Sequence, residues 1–132
     1  MTDTAPYAAV HRTENLSGPG DARPTGINIV NDCNLVGALR GKVALVTGCP
    51  PGGIRLETAR ALHVAGADVY MQVRDLQRCA GIVDDVKSDG APGKVELLRM
   101  DLDSLQSVRE AAVEFLQRSG NKCNLLILNA GE

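Results

Sequence analysis

The sequence predicts an α/β fold, a three-layer sandwich in which helices cover both faces of a parallel sheet. Three observations carry that expectation. Short apolar runs alternate with stretches of helical periodicity from Val43 onward, strand then helix three times over and then a fourth strand. The last run, Leu125-Leu-Ile-Leu128, is apolar at every position, the pattern of a strand buried on both faces. The helical segments lie between successive strands, and such β-α-β units close as right-handed crossovers.

Taken in order, residues 1 to about 23 are rich in Thr, Ala, Gly, Pro, Asp and Asn without periodicity and read as a disordered leader. Pro24 and Thr25 open a short helix with Ile27, Val30 and Leu35 on one side, expected to pack at the sheet's edge. Gly41 and Lys42 turn the chain into a first strand, Val43 to Val46. The next helix runs from Ile54 to Ala65, with Leu56, Ala59, Leu62 and Ala65 at helical spacing and Gly66 as its stop. Ala67 to Val73 is the second strand, rich in β-formers. Asp75 caps a single helix with Leu76, Cys79, Val83 and Val86 inward. After the turn Asp89-Gly-Ala-Pro-Gly93 comes a third strand, Val95 to Met100. Ser104 caps a helix that turns Leu105, Val108, Ala112 and Phe115 inward and ends near Gly120. Leu125 to Leu128 is the fourth strand.

Bulk properties narrow the function classes. The 132 residues suit one domain, with 44% apolar and 23% charged residues and a net charge of −2. That balance gives no electrostatic basis for nucleic acid or an anionic membrane. No apolar run approaches the roughly 20 residues of a membrane helix. The four cysteines (Cys33, Cys49, Cys79 and Cys123) show no Cys-x-x-Cys spacing, which suits a reduced, cytoplasmic protein. With only His11 and His63 available, a metal site has little support.

The chain is organised around the loop after the first strand, which holds Gly48, Pro50, Pro51, Gly52 and Gly53. Strand, glycine loop and helix together suit a pyrophosphate: glycines let the backbone approach, and free N–H groups at the helix start carry the positive end of its dipole. A Walker A loop requires Lys and then Ser or Thr after its second glycine, but Ile54 and Arg55 follow Gly53.

Thr47-Gly-Cys-Pro-Pro-Gly-Gly-Ile54 resembles the Thr-Gly-x-x-x-Gly-Ile-Gly loop of short-chain dehydrogenases/reductases. Leu56-Glu-Thr-Ala-Arg-Ala-Leu62 resembles the helix that follows it in the retinol-dehydrogenase-like branch, and Asn129-Ala-Gly131 matches the family's Asn-Ala-Gly motif. The resemblance covers about residues 24–132 and implies a partial NAD(P)-binding Rossmann domain with strand order 3-2-1-4. It implies a cofactor-binding set: Gly48, Cys49, Pro51, Gly52, Gly53 and Ile54 along the loop; Arg74; Asp101 and Leu102 at the adenine; and Asn129, Ala130 and Gly131 after the fourth strand. Asn129 has a structural role there, joining neighbouring strands. Arg55 departs from the pattern by standing where the third glycine belongs. Its bulk either weakens the phosphate cradle or, pointing outward, adds a cation near it.

An acidic residue closing the second strand selects NAD, whereas a guanidinium there favours the 2′-phosphate of NADP. Asp68 has the spacing of such an acid but starts the strand and lies at the wrong end. Strand two closes with Val73-Arg74-Asp75, so NADP is expected over NAD, the alternative being that Arg74 is a solvated residue beside a helix cap. Asp101 either accepts from the adenine amine or merely caps the next turn. Cys49 reads as a loop filler, with no histidine placed to activate it.

The family's Tyr-x-x-x-Lys dyad is missing, since Tyr7 is followed at that spacing by His11 and Tyr70 by Arg74. The expectation is an N-terminal cofactor-binding portion of an oxidoreductase, inactive alone because its catalytic half is absent. A non-catalytic nucleotide-binding module and a non-functional truncated remnant remain as alternatives. Strand 125–128, apolar on both faces, is also expected to drive self-association.

Overall fold

Four parallel strands alternate with helices in a computed structural model that describes residues 6–130. The elements are α1 (Gly26–Asp32), β1 (Val43–Val46), α2 (Ile54–Val64), β2 (Asp68–Val73), α3 (Leu76–Cys79), α4 (Gly81–Lys87), β3 (Val95–Arg99), α5 (Leu105–Ser119) and β4 (Leu125–Ile127). The sheet order is β3-β2-β1-β4, as the resemblance implies. Ala44 lies opposite Val69 of β2 on one side and Leu125 of β4 on the other, so β1 is central.

Because side chains alternate along each strand, the sheet has two apolar faces. On one, Ala44, Val46, Val69, Met71 and Val73 meet Leu56 and Ala59 of α2 and Ile82 and Val86 of α4. On the other, Val43, Tyr70, Leu98 and Met100 meet Ala111 and Phe115 of α5. Phe115 stands edge-on to Tyr70, with ring centroids 5.0 Å apart. This is the three-layer arrangement the alternation predicts.

Four local expectations need correction. The helix after Asp75 is two pieces, broken at Ala80 just before Gly81, a residue that weakens helix continuity. Leu76, expected inward, is exposed. In α5 the inward stripe is Val108, Ala111 and Phe115. Ala112 lies one step further round and Leu105 sits in the first turn beyond the sheet, so both are exposed. Finally, α1 packs on α2 rather than at the sheet's edge: Gly26 lacks a side chain where a Cβ would come 3.0 Å from that of Ala61. Thr25 caps α1 reciprocally with Asn28. Before it, residues 6–23 include two 3₁₀ turns, Ala9–His11 and Thr13–Asn15, and Tyr7 donates to the Asp32 carboxylate at 2.9 Å.

Candidate nucleotide-binding site

A cleft of about 1210 Å³ opens over the carboxyl ends of β1, β2 and β3. Gly48, Cys49, Pro50 and Pro51 form one wall, Arg74 and Leu76 another, Asp101 and Leu102 a third, and Ala130 closes the β4 side. Chain direction around the sheet reverses between β1 and β4, the switch point where open α/β sheets bind ligands.

The loop is shaped by its glycines and its neighbours. Gly48 has φ +68°, and a Cβ there would lie 3.0 Å from the Ala130 Cα, so only glycine lets the two segments meet. Gly52 has φ +75° with open space around it, leaving backbone accessible. Gly53 caps α2 without any side-chain hydrogen bond, and its carbonyl accepts from the Leu56 amide at 3.0 Å. Ile54 is exposed in that turn, and Arg55 is half-buried in it. Cys49 is 1% exposed, its Sγ facing the Val46 carbonyl at 3.6 Å and the Arg55 carbonyl at 4.0 Å. Burial pushes its thiol up to about 11, against the pull of the Arg55 charge, which is the opposite of an activated nucleophile.

At the far end, Arg74 is 75% exposed and its Nε lies 3.9 Å from an Asp101 carboxylate oxygen. Asp101 is thus already paired loosely across the cleft, while its other oxygen accepts from the Asp103 amide at 3.0 Å. Leu102 is half-exposed beside it. Asp75 caps α3 by accepting from the Arg78 amide. Asp68 lies at the opposite end of β2, bound to the Lys94 amide at 2.8 Å. Asn129 and Ala130 follow β4 beside the loop, and Gly131 lies outside the described residues.

Two residues that organise this site have no role in the sequence reading, although Thr47 opens its loop motif. Thr47 is buried, and its Oγ1 accepts from the Asn129 and Ala130 amides at 3.0 and 3.1 Å. Its own amide donates to the Ile127 carbonyl at 3.0 Å, so Thr47 binds the end of β1 to the end of β4. Gln72 is also buried, between the loop and Met100. A lone amide in the otherwise apolar run Val69–Val73 was the available signal. Tyr70 is a core residue whose hydroxyl donates to the Arg118 carbonyl, and burial raises its pKa.

A dinucleotide's adenosine end fits these residues: open backbone at Gly52, an α2 start without a side-chain cap, and a guanidinium opposite a carboxylate in a cleft of ligand size. The family model described as short chain dehydrogenase matches residues 42–132. The chain belongs to the short-chain dehydrogenase family. Short-chain dehydrogenase/reductase prx1 of Penicillium rubens is 44% identical over 115 residues, covering 87% of this chain and 32% of that protein. Retinol dehydrogenase 12 of Mus musculus is 34% identical over 99 residues, covering 75% of this chain and 31% of that one. A metagenomic short-chain oxidoreductase solved in complex with NADP matches with a TM-score of 0.63 at 32% identity, covering 72% of this chain and 41% of that one. This short-chain dehydrogenase chain therefore spans about a third of the length of the curated relatives it matches.

Proposed function

We propose that this chain is the N-terminal NADP-binding portion of a short-chain dehydrogenase-type oxidoreductase and does not turn over by itself. The observation that carries this reading is Arg74 standing, exposed, at the carboxyl end of β2 and facing Asp101 across the cleft. On this reading the loop from Gly48 to Ile54 holds the pyrophosphate, Arg74 takes the 2′-phosphate, Asp101 accepts from the adenine amine, and Leu102 flanks the ring. Asn129, Ala130 and Gly131 allow close approach of the ribose. When bound, the cofactor supplies hydride chemistry with a carbonyl or alcohol. This chain's own residues bind and orient it; neither tyrosine is placed to pass a proton, since Tyr70 is committed to the core. A cytoplasmic setting fits the free thiols, and among the described residues no helix is long and apolar enough to cross a membrane.

Calorimetric titration of NADPH and NADH into the wild type and Arg74→Ala tests the reading. A hydrogen bond to a charged group contributes about 1.5–3 kcal/mol. The variant is therefore expected to lose roughly ten- to hundredfold in NADPH affinity and almost nothing for NADH. Equal losses for both cofactors overturn the NADP assignment. No binding of either by the wild type overturns the cofactor role itself.

A further inference from the structure

Gln72 sits where β2 needs no polar group. Its neighbours Val69, Tyr70, Met71 and Val73 are all buried apolar or aromatic side chains, and Gln72 itself is 4% exposed. Both ends of that amide are engaged, and neither bond goes to a neighbouring strand's ladder. Oε1 accepts from the Gly48 N–H at 2.6 Å, and Nε2 donates to the Met100 carbonyl at 2.7 Å. The Gln72 carbonyl also accepts from the Cys49 N–H at 3.1 Å. One residue thus grips two consecutive amides at the start of the glycine loop. With its other hand it grips the residue immediately before Asp101.

The consequence follows from loop physics. Glycine-rich backbone has many accessible conformations, and ordering it opposes binding. A ligand that needs one conformation binds more weakly by the fraction of molecules in that state. A buried amide bond at each end removes that freedom in advance, and buried polar bonds resist opening because the exposed partners would be left unpaired. Gly48 and Cys49 thus spend their amides on Gln72, and the open backbone of the loop lies further on, at Gly52.

We propose that Gln72 is a positioning residue for the cofactor: its amide holds the glycine loop and the Met100–Asp101 segment at one spacing, setting the pyrophosphate seat and the adenine end before a dinucleotide arrives. The proposal rests on the cofactor reading above, and its test separates the two. Gln72→Leu keeps the volume and removes both bonds. Gln72→Glu keeps an acceptor for Gly48 but turns an oxygen towards the Met100 carbonyl. Each is titrated with NADPH by calorimetry well below its melting temperature, and amide hydrogen exchange is followed at Gly48 and Gly52.

In the wild type the Gly48 amide should exchange at least tenfold more slowly than that of Gly52. Gln72→Leu should abolish that protection and weaken NADPH about tenfold or more, while β1 and β2 amides keep their protection. Gln72→Glu should retain protection at Gly48 and still weaken NADPH, because the Met100 side of the clamp is lost. A Gln72→Leu protein that binds NADPH within twofold of the wild type overturns the proposal; if that variant does not fold, the same result with Gln72→Glu does so. Should the wild type bind neither NADPH nor NADH, the cofactor reading fails, and equal exchange at Gly48 and Gly52 then refutes the clamp as well.

Discussion

Cys49 illustrates how burial decides the chemistry of a side chain that lines a functional loop. Its thiol is enclosed between the Val46 and Arg55 carbonyls and pushed up to about 11, whereas Cys33 and Cys123 are exposed. A thiol-exchange titration of the folded chain should therefore modify Cys33 and Cys123 rapidly and reach Cys49 and Cys79 only on unfolding. The same shift makes stability depend on pH. From about pH 9, where an unfolded thiol ionises, to about 11, the folded chain holds a proton that the unfolded chain has released. The stabilisation is complete below pH 9 and is lost as pH rises through that window, by up to about 2–3 kcal/mol. Burial raises the Cys79 thiol too, in the same direction. Urea melts at pH 8 and 10.5 should show a smaller loss for Cys49→Ala than for the wild type; equal losses would remove Cys49 from the account.

Helix α2 is tied down by more than its apolar stripe. Its last turn carries His63, fully buried, with Nδ1 2.8 Å from an Asp89 carboxylate oxygen and Nε2 2.8 Å from the Gly93 carbonyl. The ring thus joins α2 to the turn that starts β3, and Gly93 itself has no room for a side chain against the Ala67 carbonyl. Arg60, one turn earlier, bridges to Glu57 and to Asp85 of α4. The exposed ion pairs contribute little, whereas the buried ring contributes packing and two polar bonds. His63→Phe, which fills the space but removes both ring-nitrogen contacts, should cost about 2–4 kcal/mol in urea-induced unfolding. Arg60→Ala should cost under about 1 kcal/mol. A His63→Phe protein as stable as the wild type would mean that the turn relaxes to water without penalty.

Across the whole sheet the least covered element is β4. It pairs with β1 on one side, and among the described residues no strand lies on the other. Leu126 and Leu128 are 54% and 73% exposed, although both belong to an apolar run. Val113 and Leu116 on α5 are exposed as well. An apolar edge with free backbone groups templates pairing with another chain. The 132-residue chain, prepared as such, is expected to self-associate through 125–128, and light scattering during size-exclusion chromatography measures it. Leu126→Lys should shift the population towards monomer. A monodisperse wild-type monomer at tens of micromolar would refute the expectation and strengthen the reading of a stand-alone nucleotide-binding module.

Local patterns along the chain were enough to specify the alternation of strands and helices, the glycine loop, the caps at Asp75 and Ser104, and Arg74 at the close of β2. These depend on periodicity and turn chemistry within a few residues. Strand order was legible only through the resemblance, because nothing in a strand's own residues names its neighbour. Which side of α5 faces the sheet, and that α1 rests on α2, were decided by packing between distant segments. So were the approach of Arg74 to Asp101 and the bonds made by Thr47 and Gln72. Thr47 meets Asn129 from 82 positions away, and Gln72 meets Gly48 from 24 and Met100 from 28. Such bonds exist only once parallel strands have taken their register, and a polar residue gives no sign beforehand of which distant backbone group it will find.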